Sequence, residues 1–202
     1  MIKNYIWDFD GMLFDSYRHI TACFVKAMSE FGVTVDYDES KSFFEISYKT
    51  CFEHYGCTDE MIERFDSYES DYHFEPVVSP FKNTVFTLNK IVKNGGKNFL
   101  YTHRDHTALY YLAKYNIINL FDGFVTSLNN FPSKPSPDAL NYIAETFNLN
   151  KKECLMIGDR EIDVGSGYNA GMYSCLCSKG VKDTVADFVI SDISEVLDIK
   201  TE

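Results

Sequence analysis

The chain has 202 residues, 45% hydrophobic and 16% aromatic, with a formal net charge of −11. That length fits one medium domain, or a core domain with a small accessory one, and the apolar content describes a folded protein, not a disordered one. The acidic balance disfavours nucleic acid as a partner, while a small anion held by a local cluster of cations and backbone N–H groups stays compatible.

In chain order, residues 2–7 read as a buried strand that ends in two like charges, Asp8 and Asp10, either side of Phe9 and followed by Gly11. From Tyr17 the period changes. Tyr17, Ile20, Phe24, Ala27, Met28 and Phe31 recur at helical spacing, with Gly32 placed to stop the helix. A second helical pattern carries Phe44, Cys51, Phe52 and Tyr55 before Gly56. A third follows Thr58, an N-cap candidate, with Met61, Ile62, Phe65, Tyr68 and Tyr72 on one face. Residues 16–78 therefore hold helices and almost no strand pattern, and EPVVSP (75–80) reads as a linker.

Beyond the linker, strands and helices alternate. Val85, Leu88, Ile91 and Val92 mark a helix stopped at Gly95 and Gly96, followed by a strand at 97–102 and a helix at 107–115. A strand at 123–126, a helix at 137–147, a strand at 153–157 and a helix at 164–170 follow, then strands at 172–177 and 188–190. Such alternation implies βαβ units and a parallel sheet, with the helical block inserted after the first strand.

No run of 18 apolar residues is present, so neither a membrane span nor a secretory leader is expected. The six cysteines (Cys23, Cys51, Cys57, Cys154, Cys175 and Cys177) follow no secreted framework, which predicts free thiols in a reducing cytoplasm. Cys51, His54 and Cys57 form a C-x-x-H-x-x-C, but structural zinc wants four ligands and no fourth is evident. Ordinary packing is the expectation there.

In an open parallel sheet, ligands bind beyond the carboxyl ends of the strands. The polar residues of this chain gather at those ends: Asp8-Phe9-Asp10-Gly11, then Thr102-His103-Arg104, then Ser133-Lys134-Pro135, then Gly158-Asp159-Arg160-Glu161-Ile162-Asp163. Each group alone is a weak signal. An acid pair, a hydroxyl, a lysine and a second acid pair, in that order and each at a strand end, form a strong one.

These four segments, WDFDGMLFDS, FLYTHRD, PSKPSPDAL and LMIGDREID, resemble the four motifs of the haloacid dehalogenase superfamily of phosphohydrolases, subclass I. Within it the chain is most similar to the phosphoglycolate phosphatase and β-phosphoglucomutase branch. The resemblance spans almost the full chain. It implies an α/β fold with a Rossmann-like parallel-sheet core over 1–15 and 79–202, and a small helical cap over 16–78 inserted after the first strand. It also implies a Mg2+-dependent phosphatase that works through an aspartyl-phosphate.

On this resemblance, Asp8 is the nucleophile and Asp10 the general acid and base, with Thr102 and Lys134 completing the catalytic set. Asp8, Gly11, Thr102, His103 and Lys134 would hold the phosphate. Mg2+ would be held by Asp8, Asp10 (through its backbone carbonyl), Asp159 and Asp163, the last also orienting Lys134. Arg18, His19, Lys49 and Arg104 are the candidates for substrate selection. The expected partner is a small phosphorylated metabolite, not nucleic acid or a membrane, with monomer and homodimer both open.

Departures from the family pattern limit the alternatives. Asp10 argues against dehalogenase chemistry, whose relatives lack this second acid. The mutase relatives carry a histidine where this chain has Ile20, with His19 one residue early and about 100° around the helix. Hydrolysis is therefore favoured over a phosphomutase. A receiver domain, with its own acid cluster, places its phosphorylated Asp well into the chain. A silent binding protein of the same fold would not need all of Asp8, Asp10, Thr102, Lys134, Asp159 and Asp163. Met12 stands where the family has threonine.

Overall fold

The first strand, β1 (Asn4–Trp7), is buried almost throughout and lies at the centre of a six-stranded sheet. In a computed structural model, which describes residues 1–180 and 183–201, the chain divides into two units. One comprises Met1–Phe14 and the residues from Pro80 onward; the other is Asp15–Ser79. Two short strands, β2 (Phe14–Asp15) and β3 (Ser79–Pro80), pair where the chain leaves the first unit and returns to it.

The remaining strands of the first unit are β4 (Lys97–Tyr101), β5 (Gly123–Val125), β6 (Cys154–Gly158), β7 (Tyr173–Cys177) and β8 (Phe188–Ile190). They order as β5-β4-β1-β6-β7-β8, and every pairing in that sheet is parallel. Strand β6 (CLMIG) is buried at every position, as a strand covered on both faces should be. The chain proceeds from β1 to β4 on one side, then crosses to β6 on the other. That reversal opens a crevice beyond the carboxyl end of β1. The register pairs Trp7 with Leu100 and with Ile157, so the three central strands end nearly level.

Helices of this unit are α5 (Thr84–Lys93), α6 (Thr107–Lys114), α7 (Asp138–Thr146) and α8 (Glu161–Ala170). From α7, Ala139, Leu140, Ile143 and Ala144 pack with Ile6, Phe99 and Met156 of the sheet. Trp7 is fully buried, and its indole Nε1–H donates to Asn98 Oδ1 at 3.0 Å, so the polar atom in the core is satisfied. Helix α8 begins three residues before its expected start and so carries Asp163 in its first turn.

The second unit holds α1 (Tyr17–Glu30), α2 (Tyr37–Ile46), α3 (Tyr48–Tyr55) and α4 (Asp59–Glu69). Phe24, Phe44, Phe52 and Phe65 form its aromatic centre, with Phe24 edge-on to Phe44 at 5.2 Å between ring centroids. The single helical pattern read through Phe44 to Tyr55 is two helices. Ser47 is extended (φ −169°, ψ 155°), and its hydroxyl accepts the Thr50 N–H at 3.0 Å, ending α2 and starting α3. Tyr72, read on the face of α4, lies past its end at Glu69. Cys51 is buried in this core, His54 Nε2 lies 3.6 Å from Glu39, and Cys57 Sγ lies 3.8 Å from the Met28 sulfur. Among the described residues no helix is long and apolar enough to cross a membrane.

Candidate active site

The β1 ladder continues one residue past the strand, because the Asp8 N–H donates to Ile157 O at 2.9 Å. This fixes the Asp8 backbone against β6 and leaves its side chain at the mouth of the crevice. The chain then turns sharply. Gly11 has φ +75°, a left-handed conformation that side-chain-bearing residues resist, and its N–H donates to Phe14 O at 3.0 Å. Met12 is 1% exposed, so where the family has a hydroxyl this loop has an apolar anchor.

Lys134 is the centre of the site's electrostatics. Its Nζ lies 2.6 Å from Asp8 Oδ1 and 2.7 Å from Asp163 Oδ1, all three side chains at most 2% exposed. The ammonium also sits over the Tyr101 ring, 4.6 Å from its centroid. Burial opposes the Lys134 charge, but Asp163 and Asp8 outweigh it and hold the pKa above the ordinary lysine value. Asp8 is also raised, which for a carboxylate disfavours the charged form. Burial, reinforced by Asp163 and only partly offset by Lys134, pushes it up to about 6. The second oxygen, Asp8 Oδ2, is buried and accepts no hydrogen bond from the described residues.

Asp163 reaches this cluster because β6 ends in glycine. A Cβ on Gly158 would lie 2.2 Å from Asp163 Cγ, far inside contact distance. The carboxylate is held from its own helix terminus as well, by the Arg160 N–H at 3.2 Å on Oδ2. Gly158→Ala is therefore expected to displace Asp163 from Lys134 and to cost about 1–3 kcal/mol of stability, readable as a lowered denaturation midpoint.

Asp159 is half-buried at the end of β6, with Arg160 Nε 4.0 Å from its Oδ1. Asp8, Asp159 and Asp163 each offer an oxygen within 4.8 Å of the others, the one such group of three or more among the described residues. Hard carboxylate oxygens with one orphaned buried acceptor suit a divalent cation such as magnesium.

Thr102, at the end of β4, is 1% exposed, and its N–H donates to Val125 O at 3.0 Å. Its Oγ1 accepts the Arg104 N–H at 3.0 Å, which leaves the hydroxyl hydrogen for another acceptor. His103 turns its Nε2 to accept the Lys134 N–H at 3.1 Å, so the ring serves the Lys134 loop. Partial burial, with Lys134 and Arg160 adding positive charge nearby, lowers the imidazole to about 4, and the ring is neutral at pH 7. Arg104 pairs with Asp10 through Nη2 at 2.9 Å and Nε at 3.1 Å, both to Oδ1. Nothing in the sequence pattern indicated that pairing.

Three of the residues considered for substrate selection lie in the helical unit. His19 is 1% exposed, with Nδ1 3.1 Å from Pro76 O and Nε2 3.4 Å from Glu69 O, both within that unit. Arg18 is exposed and lies 3.6 Å from Asp15 Oδ2; Lys49 is exposed and lies 3.6 Å from Glu53 Oε1.

A buried acid–lysine–acid core, a hydroxyl and an adjacent carboxylate thus meet at the ends of the strands of a parallel α/β sheet. Residues 5–177 match the family model of the haloacid dehalogenase-like hydrolases. The chain belongs to that family of hydrolases. It is 24% identical over 207 residues to a pyrophosphatase PpaX of Oceanobacillus iheyensis, covering 98% of this chain and 96% of that one. It is 32% identical over 95 residues to a phosphoglycolate phosphatase of Vibrio cholerae, covering 44% and 42% of the two chains. A crystal structure of a hydrolase from Streptococcus pneumoniae is similar at 29% identity and a TM-score of 0.70, covering 98% of this chain and 99% of that one.

Proposed function

We propose that the protein hydrolyses a small phosphate ester or anhydride in two displacements through an aspartyl-phosphate on Asp8. The observation that carries this reading is the division of labour within one carboxylate: Asp8 Oδ1 is fixed by Lys134 while Oδ2 is buried and without a hydrogen bond. In the first displacement an Asp8 oxygen forms a bond to phosphorus as the bond to the leaving oxygen breaks, and Asp10 gives that oxygen a proton. In the second, water attacks phosphorus, the Asp8 oxygen departs, and Asp10 takes the water's proton. Lys134 offsets the charge that gathers around Asp8, and the Thr102 hydroxyl and the Gly11 loop hold phosphate oxygens. Asp163 keeps Lys134 in place.

Asp8, Asp159 and Asp163, with the Asp10 carbonyl, would hold Mg2+, which when bound stabilises charge on the transferring phosphoryl group. The helical unit would be the cap of this family. The relatives' names point to pyrophosphate and phosphoglycolate as first substrates to try, and the six free thiols fit a cytoplasmic setting. The reading is tested by phosphate release from a panel of small phosphates with Mg2+ and with excess chelator. Release that stops with chelator and returns with Mg2+ is expected. Release indifferent to the metal would contradict it.

A further inference from the structure

The Lys134 ammonium is bounded by two carboxylates and a ring. Nζ lies 2.6 Å from Asp8 Oδ1, 2.7 Å from Asp163 Oδ1 and 4.6 Å from the centroid of the Tyr101 ring, which it overlies. The lysine side chain is wholly buried and the tyrosine is 2% exposed. Tyr101 is the last residue of β4, so the strand that presents Thr102 also presents this ring. It belongs to the core that Val125, Ala139 and Leu140 share with the sheet, which leaves the ring no room to swing away. Two residues on, His103 Nε2 accepts the Lys134 N–H at 3.1 Å, and its ring meets Tyr101 edge-on at 6.3 Å between centroids. The end of β4 thus meets Lys134 at its backbone and at its ammonium.

The Tyr101 hydroxyl does not account for an aromatic residue at this place. It is buried and has no hydrogen-bond partner among the described residues, a condition that costs stability. The ring face does account for it. An ammonium has three hydrogens, and Asp8 and Asp163 engage two of them. The negative face of an aromatic ring attracts such a cation, most of all where water is excluded. The ring also stays constant where a carboxylate does not. In the proposed reaction Asp8 gives up its carboxylate charge when its oxygen bonds to phosphorus, so one of the two anions beside Lys134 changes in every turnover. We propose that Tyr101 is a positioning residue whose ring face holds the Lys134 ammonium in place through both displacements.

This inference rests on the phosphatase reading, and its test separates the two. Phenylalanine and its mono-, di- and trifluorinated forms, introduced at position 101 of the full chain, keep nearly one shape while draining negative charge from the ring face. Two quantities are read: kcat/KM for p-nitrophenyl phosphate and for pyrophosphate with Mg2+, and the urea midpoint of the metal-free protein. Both are expected to fall with each added fluorine, kcat/KM by about tenfold across the series, the scale of a desolvated cation–π contact. Tyr101→Leu, which removes the ring, should lose at least as much activity, and the conservative Tyr101→Phe should retain most of it. The Lys134→Met background separates charge from crowding: there the fluorine steps in urea midpoint should vanish. A flat kcat/KM series beside an impaired Tyr101→Leu would make Tyr101 a packing residue only and overturn the proposal. So would equal fluorine steps in urea midpoint with and without the Lys134 ammonium. If wild type releases phosphate from neither substrate, the phosphatase reading itself fails, while the urea series still decides whether the ring holds the ammonium.

Discussion

Asp8→Asn is expected to remove phosphate release on every substrate, by about 10⁴-fold or more, the scale on which losing a nucleophile is felt. The substitution keeps the shape of the side chain and its place beside Lys134, so the folded protein should persist. Its effect on the cluster is electrostatic. Burial and Asp163 push Asp8 up to about 6, and an amide removes that crowded charge altogether. A melting temperature at or above that of the metal-free wild type, combined with lost turnover, would place the defect in chemistry. A variant retaining a tenth of wild-type activity would rule out Asp8 as nucleophile.

The second large effect belongs to Lys134. Lys134→Met keeps the stem and deletes the charge, leaving Asp8 and Asp163 facing each other without the ammonium that lies 2.6 and 2.7 Å from them. Breaking a buried ion pair by removing one partner costs about 3–5 kcal/mol, because an uncompensated charge stays behind. Urea denaturation should show that loss in metal-free protein, and turnover should fall with it. The double variant Lys134→Met/Asp163→Asn should recover part of the stability, since it removes one of the two stranded carboxylates. Failure of the second change to recover any would mean that the cluster is not held by these charges.

Much of this arrangement is legible in the sequence for a definite reason. Asp8, Thr102 and Asp159 each follow a strand at once, and a parallel sheet in register brings strand ends level, so local patterns suffice to place them together. Lys134 and Asp163 come with the same motifs. What the sequence does not disclose are contacts set by tertiary packing. The meeting of Arg104 with Asp10 joins residues 94 apart and depends on a side chain lying over Phe9. The slot that Gly158 provides for Asp163 has a faint signal, a glycine ending a buried strand directly before an acid pair.

In the helical unit, periodicity runs through Ser47 because the apolar face continues on both sides of it. Only the extended backbone and the hydroxyl cap reveal two helices. His19 reads only as a polar residue in the sequence, and packing sets its two ring nitrogens against backbone carbonyls.

The central claim is a covalent phosphate on Asp8, and trapping it is the most direct measurement. Asp10→Asn should slow the water-dependent step, while p-nitrophenyl phosphate needs little help from an acid to release its phenolate. That variant, mixed with Mg2+ and p-nitrophenyl phosphate, quenched, reduced with borohydride and mapped by peptide mass spectrometry, should carry homoserine at position 8. Release of nitrophenol with no modification at residue 8, or with modification at another residue, would contradict the account.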